Sequence, residues 1–239
     1  MILSYSKEEI VSITTHQLNS IFPITSEERN IIEKNIDNVL LRCEKCFEVS
    51  TDRYYSKNGQ TYFDILHADQ HSVFLYFLSN TIYKRYISLL SDNQEEDSSL
   101  IYKRLAEKIF RLNKMLNACD IYCTVELPPI FKIGHSLGIV IAPGTKIGNY
   151  FYILQNCTLG NNNGHVPVLE DWVFMMPGSK IVGNSHIGHH SVIASNTYIK
   201  DCDIPPYSLV FGSSPNLVIK KNSPQMYGHS LLAQFKEKK

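Results

Sequence analysis

The feature that most constrains this chain is an aliphatic or methionine side chain at every sixth residue, with one interruption. The positions are Ile141, Ile147, Ile153, Leu159, Leu169, Met175, Ile181, Ile187, Ile193 and Ile199. A period of six fits neither the α-helix nor the simple alternation of a strand. It predicts one short strand and one turn per repeat, with three repeats closing a triangular coil whose axis is filled by these side chains. Little more than three turns of coil are expected.

Small residues stand two positions before most of the aliphatic ones, where they fit the tight corner beside each strand. They are Thr145, Cys157, Ser179, Ser185, Ser191 and Thr197, with exceptions at Ile139, Phe151, Pro167 and Val173. A β-sandwich would instead show turn signals every 8 to 12 residues or so. The pattern therefore favours the coil over a sandwich.

Two irregularities interrupt the repeat, and each contains a histidine. Leu159 and Leu169 are separated by four extra residues in "GNNNGHVPV", which contains His165. The other irregularity lies in "KIGHSLGIVI" and contains His135. A rigid coil must carry an insertion as an outward loop, and loops on rigid scaffolds often carry functional residues. Both histidines are therefore candidates for a site.

The first 120 residues have a helical texture, with a single glycine and a single proline. Helix starts are predicted from capping residues at Ser6 with Glu9, Thr25 with Glu28, and Ser98 or Ser99 after a loop in "SDNQEEDSS". The segment "HSVFLYFLSNTIYKRYISLL" is apolar nearly all round, so we expect it to be buried. The predicted fold class is α+β, with a helical domain over 1–120, the coil over 121–205 and a C-terminal tail over 206–239.

The composition bounds the class of protein. Lysine plus arginine and aspartate plus glutamate number 23 each, so nothing favours nucleic acid as a partner. No run approaches the roughly 20 apolar residues of a transmembrane helix. The start "MILSYSKEEIVS" lacks the basic end and apolar core of a signal peptide. We expect a cytoplasmic protein with no transmembrane segment.

Two clusters contain residue types that can bind metal, and the sequence favours a metal site at neither. Cys43 and Cys46 have the spacing of a zinc half-site, but they lie in an amphipathic helical pattern that favours reduced, buried cysteines. His186, His189 and His190 crowd one repeat, which favours a solvated turn. We expect no metal.

The chain resembles the hexapeptide-repeat acyltransferases, and within them the serine O-acetyltransferase branch. The likeness rests on "KIGHSLGIVI", "YILQNCTLG", "GHVPVLED", "PGSKIVGNSHIG" and "IPPYSLVFGSSPNLVIKKN". It implies a left-handed parallel β-helix after the helical domain and acetyl-CoA as co-substrate. It also implies a homotrimer, or a multiple of three, with active sites between adjacent β-helices. Bacterial sequences with this layout are similar to enzymes that acetylate sugars of capsule or lipopolysaccharide.

The resemblance also implies roles for individual residues. His135 falls on the catalytic base of the family's H-x-x-G-I-V motif, and Glu126 in "VELPP" falls on the aspartate of V-D-I-H-P that orients this base. His165 lies in the loop that supplies a second active-site histidine. The residues implied in coenzyme binding are Pro177, Gly178 and Ser179 at the pantetheine arm, and Ser214 in "FGSSPN" near the far end.

The chemistry of the residues supports these roles. A neutral imidazole can take the proton of a hydroxyl as it attacks a thioester, which contributes roughly 10²–10⁴-fold. Backbone N–H groups of Gly138 or of residues 160–164 are candidates to stabilise the oxyanion, and Gly160 is also a candidate for coenzyme binding. Asp69 opens an apolar helix expected near the coil and is a candidate to touch the acceptor. Lys220 and Lys221 are candidates for the coenzyme's 3′-phosphate, or are simply part of a charged tail.

Departures from the family bear on the acceptor. Gly134 stands where serine acetyltransferases have an aspartate, Val166 separates His165 from Pro167, and the loop has no arginine. Free serine would then find poor compensation for its two charges. The hypothesis is an acetyl-CoA-dependent O-acetyltransferase acting on a saccharide. The alternatives are serine O-acetyltransferase of cysteine biosynthesis and a non-catalytic trimeric scaffold.

Overall fold

The helical half begins at the two predicted capping boxes. A computed structural model describes residues 1–91, 96–221 and 234–236, with the backbone alone at 96–98. Helix α1 spans Lys7–Asn19 and helix α2 spans Ser26–Phe47. The hydroxyls of Ser6 and Thr25 each accept from the N–H three residues on, and the glutamate there accepts from the cap's own N–H. Both predicted starts are confirmed.

Two further helices form the centre of this half. Helix α3 spans Ala68–Ser91 and packs against α2 and against helix α4, Glu96–Asn117. The side chains from Gln70 to Ile82 are all buried, as the apolar pattern predicts. The predicted cap at Ser98 or Ser99 is wrong, because α4 already begins at Glu96, where acidic residues favour the first turn. Residues 92–95 of the predicted loop lie outside the described residues.

A small sheet beside the helices was not predicted. Its strands are β1 (Ile2–Leu3), β2 (Ser56–Lys57) and β3 (Gln60–Phe63), preceded by a 3₁₀ turn at Arg53–Tyr55. Strands β2 and β3 form a hairpin through Asn58 and Gly59, both at positive φ. An Asn-Gly pair is a strong hairpin signal, so this element was detectable from the sequence.

The second half is a parallel β-helix. Its strands are β4 (Cys119–Ile121), β5 (Phe131–Gly134), β6 (Ile139–Ile141), β7 (Lys146–Ile147), β8 (Phe151–Leu154), β9 (Thr158–Gly160), β10 (Val168–Leu169), β11 (Phe174–Met175), β12 (Lys180–Val182), β13 (His186–Ile187), β14 (Val192–Ile193), β15 (Tyr198–Lys200), β16 (Ser208–Ser213) and β17 (Asn216–Lys221). Strands β4, β6, β9, β12 and β15 form face A, strands β7, β10 and β13 form face B, and strands β5, β8, β11, β14 and β16 form face C.

The aliphatic repeat forms the core of the coil, as predicted. The register-paired stacks are Ile121, Ile141, Leu159, Ile181 and Ile199 on face A; Ile147, Leu169, Ile187 and Ile204 on face B; and Ile133, Ile153, Met175, Ile193 and Val210 on face C. The α+β prediction of a helical domain followed by a parallel β-helix is confirmed. The coil has about five turns, more than the repeat indicated.

The extra turns come from segments outside the strict repeat. Strand β4 adds a level above it, and β16 adds a level below it by pairing with β14 and β15. Part of the region predicted as a tail is therefore strand, and β17 folds back on β16 as an antiparallel hairpin. Farther on, Phe235 packs beside Tyr152 and Phe174 on the outside of face C. Residues 222–233 and 237–239 lie outside the described residues.

Candidate active site

His135 lies at the corner of the coil where face C turns into face A. It follows β5 and precedes β6, in a segment two residues longer than the matching one between Ile153 and Leu159. The extra length gives the corner two residues at positive φ, His135 at +54° and Gly138 at +73°. The imidazole is exposed. The irregularity seen in the sequence is thus a projecting turn that presents this ring to solvent.

A carboxylate of the helical domain holds this turn. Asp69, in the first turn of α3, accepts from the His135 N–H through Oδ2 and from the Ser136 N–H through Oδ1, each at 3.1 Å. The Ser136 hydroxyl donates to the carbonyl of Asn117 at 3.0 Å. Asp69 was predicted to touch the acceptor, but both of its oxygens already accept from the backbone. Its role in this structure is to position the turn.

Asp69→Asn is expected to lower the free energy of unfolding by about 1.5–3 kcal/mol, because an amide offers one acceptor for two N–H groups and loses the charge. The matched control is Asp203→Asn, where one carboxylate oxygen accepts a single N–H, from His186 at 3.1 Å. Asparagine can keep that one bond. Urea unfolding of both variants measures the difference. An equal loss of unfolding free energy in the two variants would show that the second hydrogen bond to Asp69 adds nothing to stability.

Glu126 is not brought to His135. Its Oε2 pairs with the Lys84 ammonium at 2.6 Å and its Oε1 accepts from the Asn80 side chain at 3.3 Å. It lines a shallow pocket with Thr145 and Lys146, beyond the far edge of face A. The prediction that Glu126 orients His135 therefore does not fit this geometry. The physical reason is the register, since a hexad step moves a side chain to the next face of the triangle.

Asp120 is a further candidate for an acid near this corner. It stands one hexad before Glu126, on β4, in register with Val140 of β6. The corner containing His135 packs on the same segment, since the Gly138 N–H donates to the Ala118 carbonyl at 3.0 Å. The Asp120 carboxylate pairs with Lys114 at 2.5 Å. Two hexads counted back from Ile133 reach Ile121, next to Asp120, and this was the signal that could have found it.

The space beside Gly134, the residue before His135, is filled by side chains of the neighbouring strand β8. A Cβ added to Gly134 would lie 2.7 Å from Leu154 Cδ2 and 2.8 Å from the Tyr152 hydroxyl. Burial, with smaller contributions from the charges of Asp69 and Asp52, raises the pKa of Tyr152 to about 12. A neutral phenol thus stands where an aspartate side chain would begin.

The inserted loop is a hairpin that projects His165. Asn162 and His165 exchange backbone hydrogen bonds of 2.9 and 3.0 Å around Asn163 and Gly164, both at positive φ. The Asn162 side chain donates to Asp201 at 2.7 Å, which ties the hairpin to a lower coil. The loop leaves the coil between β9 and β10, where face A turns into face B. His135 and His165 are therefore at opposite edges of face A, and one chain does not bring them together.

Most coenzyme candidates follow the same edge as His135. Pro177, Gly178 and Ser179 form the corner between β11 and β12, two levels from His135. Gly178 has a φ of +76°, and the Ser179 side chain is buried in the corner. Ser214 is fixed at the lower end of face A, where its N–H donates to the Tyr198 carbonyl at 2.8 Å.

The other candidates lie apart from that corner. Gly160 ends β9 on the loop side of face A, and a Cβ there would lie 2.8 Å from Val182. Lys220 and Lys221 are exposed on β17, and the Lys220 ammonium lies 5.7 Å from the centroid of the Phe211 ring. The structure thus places these three residues away from the edge that carries His135.

A buried histidine lies behind the same turn. His71 of α3 is 6 % exposed, and its Nδ1 lies 3.3 Å from the Asn117 side-chain nitrogen. Its Nε2 is buried and has no hydrogen-bond partner among the described residues. Burial lowers the pKa of His71 to about 4, so the ring is neutral at neutral pH.

Among the described residues, no three histidine, cysteine or acidic side chains come together as a metal site, and no helix could cross a bilayer. His186 instead pairs with Glu170 at 3.1 Å, while His189 contacts His190 through the ring nitrogens. The six cysteines are free, and five of them are buried.

Comparisons with known proteins give serine acetyltransferases, while no protein-family model matches. The serine acetyltransferase of Bacillus licheniformis is 26 % identical over 128 residues, which are 50 % of this chain and 59 % of the relative. That of Staphylococcus epidermidis is 25 % identical over 158 residues, 64 % of this chain and 66 % of the relative. That of Escherichia coli is 28 % identical over 117 residues, which are 45 % of this chain and 42 % of the relative. The chain spans less than two thirds of the length of these relatives.

Solved structures of the same enzymes cover nearly the whole chain. A serine acetyltransferase in complex with cysteine has a TM-score of 0.66 at 18 % identity, covering 89 % of this chain and 84 % of that one. That of Neisseria gonorrhoeae has a TM-score of 0.66 at 19 % identity, covering 93 % and 84 %. That of Brucella abortus in complex with coenzyme A has a TM-score of 0.63 at 16 % identity, covering 91 % and 83 %. The chain therefore has the fold of the serine acetyltransferases.

Proposed function

We propose that this protein is an acetyl-CoA-dependent O-acetyltransferase with His135 as its general base. The observation that carries the proposal is an exposed imidazole at a projecting corner of a hexapeptide β-helix, where Asp69 accepts from the backbone N–H groups of the turn. The curated relatives are serine acetyltransferases, which supports acetyl transfer as the reaction. The structure solved with coenzyme A supports acetyl-CoA as the donor.

In the proposed reaction, the His135 imidazole takes the proton of the acceptor hydroxyl as its oxygen attacks the thioester carbonyl. Backbone N–H groups near the corner stabilise the resulting oxyanion. Collapse of the intermediate breaks the carbon–sulfur bond, and the coenzyme thiolate leaves with the proton from the imidazolium. Asp120, on the strand beside this corner, is the proposed acid that orients the ring.

We propose that the coenzyme lies along the edge from His135 to Ser214. This edge crosses four strand spacings of about 4.8 Å, roughly 19 Å in all, which suits an elongated ligand. Gly178 lies on this edge, where packing against the next coil excludes a side chain, since a Cβ there would lie 2.3 Å from Asn196 Oδ1. Lys220 and Lys221 remain candidates for the 3′-phosphate, and Gly160 for a contact on the loop side of a neighbouring chain.

We propose a homotrimer, or a multiple of three, with each site shared by two chains. The support is that His135 and His165 stand at opposite edges of face A, so a second copy is needed to bring them together. Exposed apolar side chains adjoin both edges: Leu137 is 62 % exposed and Val140 38 % beside His135, and Val168 is 37 % exposed after the loop. Burial of such side chains favours association.

The proposal also concerns which molecule accepts the acetyl group. The relatives favour serine, and they give no support to a capsule or lipopolysaccharide sugar. One observation favours an uncharged hydroxyl instead: Tyr152 and Leu154 occupy the space beside Gly134, and residues 160–167 contain no arginine. We therefore propose serine as the first acceptor to test and a neutral saccharide hydroxyl as the second candidate.

The proposal is tested by release of coenzyme A thiol from acetyl-CoA, with charged and uncharged hydroxyl acceptors. L-serine is compared with N-acetylserine amide, which keeps the hydroxyl and lacks both ionised groups, and with a panel of saccharides. Serine as the acceptor predicts a clear preference for L-serine, whereas the missing compensating charges predict that the neutral analogue is acetylated at least as well.

A preference for L-serine of about 100-fold or more would refute the argument from Gly134 and leave serine as the acceptor. Absence of acceptor-dependent thiol release across the whole set, with a folded protein, would refute acetyl transfer itself.

A further inference from the structure

One cavity in the described part of the chain lies away from the His135 corner. It has a volume of about 690 Å³ and lies between α2, α3 and residues 126–129. Asp69 holds the His135 turn, and the residues of α3 that line the cavity run from Phe77 to Arg85, 8 to 16 residues farther along the helix. At 1.5 Å per residue this is roughly 12 to 24 Å. The cavity is therefore separate from the proposed active site.

The lining of this cavity is strongly basic in a chain whose charges balance. Its cations are Arg42, Lys45, Lys84 and Arg85, and its single acid is Glu126. Glu126 is already paired with Lys84. In the described residues Lys45 and Arg85 are exposed at the rim and form no ion pair. A net excess of three positive charges thus faces a volume that suits a small-molecule ligand.

The guanidinium of Arg42 forms a fixed, half-buried part of the wall. It donates to Thr81 Oγ1 at 2.7 Å and to Asn80 Oδ1 at 2.9 Å, and it stacks 4.3 Å from the centroid of the Phe77 ring. These hydrogen-bond partners are all neutral, and burial lowers the pKa of Arg42, while the nearby charge of Glu126 opposes that shift. A half-buried cation without a carboxylate partner is costly, and a bound anion offsets that cost.

We propose that this cavity binds a small phosphorylated molecule. Planar guanidinium groups at Arg42 and Arg85 suit the oxygens of a phosphoryl group, and the ammonium groups add charge without demanding geometry. The amides of Asn35 and Asn38 also line the cavity and provide donors and acceptors for hydroxyl groups next to the phosphate.

The test is calorimetric titration of the full chain with pyrophosphate at constant ionic strength. We expect saturable binding of one pyrophosphate per chain. The double variant Lys45→Ala/Arg85→Ala should bind at least about tenfold more weakly, because two charged hydrogen-bond donors are lost. The matched control is Lys34→Ala/Arg111→Ala, which removes the same charge from exposed positions of α2 and α4 outside the cavity. It should bind within about twofold of the parent.

Two further arms separate the alternatives. Saturation with coenzyme A beforehand should leave pyrophosphate binding intact, and its loss would place the phosphate in the coenzyme site and overturn the proposal. Citrate should bind more weakly than pyrophosphate, and the reverse order would overturn the phosphoryl assignment. Equal weakening in both double variants, or no binding by the parent chain, would also overturn it. None of these outcomes depends on acetyl transfer.

Discussion

Replacing His135 by asparagine is expected to lower the rate of acetyl transfer by roughly 10²–10⁴-fold with little change in affinity for acetyl-CoA. Asparagine lacks a titratable nitrogen but tolerates the left-handed conformation that this position requires at a φ of +54°. The imidazole is exposed and contributes nothing to the core, so fold and assembly should persist. Steady-state thiol release with the best acceptor, together with coenzyme binding by calorimetry, measures the effect.

A second histidine variant provides the comparison. His165→Ala should reduce the rate less, if that ring positions the acceptor rather than accepting its proton. Refolding a mixture of the two variants should give more activity than the average of the two measured separately, because a site shared between chains regains both histidines in some copies. Near-full turnover by properly folded His135→Asn would reduce the residue to a turn histidine and end the catalytic interpretation.

Acidification is expected to destabilise the protein through His71. Its folded-state pKa of about 4 lies below the ordinary value of 6.5, so between these values the unfolded chain binds more protons than the folded one. Stability therefore falls as pH drops from 6.5 towards 4. At 1.36 kcal/mol per pKa unit, this one group accounts for a loss of about 3 kcal/mol.

His71→Phe removes the titration while keeping a ring of similar shape in the buried position. Urea unfolding at a series of pH values should show a shallower decline below pH 6.5 than in the parent chain. The control is His16→Phe, at an exposed position on α1. If the two variants flatten the curve equally, or His71→Phe leaves it unchanged, the acid sensitivity has another origin.

The β-helix could be predicted well because its signal is periodic and redundant. Each of Ile141, Leu159 and Ile181 occupies the same stack, so an error at one position would not have altered the inferred coil. The turns beyond the repeat were missed for the opposite reason. Strand β4 enters the coil directly from α4, and the step from Ile199 to Ile204 before β16 is five residues instead of six, so neither continues the pattern.

The candidate site was harder to predict because it depends on contacts between the two halves. His135 stands out as an irregularity within the repeat, whereas its support by Asp69 spans 66 residues of sequence and leaves no local pattern. The assignment of Glu126 shows the ambiguity of a repeat: a step of one hexad, to Asp120, preserves the pattern and changes the face. The role of Tyr152 depends on the register of β5 with β8, which the sequence alone does not specify.

The bond between Asp69 and the His135 turn limits the modularity of this architecture. A β-helix is an attractive scaffold to transplant, since each coil adds to the last. In this chain, however, the corner that presents the imidazole donates two backbone hydrogen bonds to a helix encoded far upstream. A graft of "KIGHSLGIVI" onto another coil would transfer the imidazole without the Asp69 carboxylate that holds its turn. Recombination between such proteins would have to exchange α3 together with the corner, so the two segments are expected to be inherited as one unit.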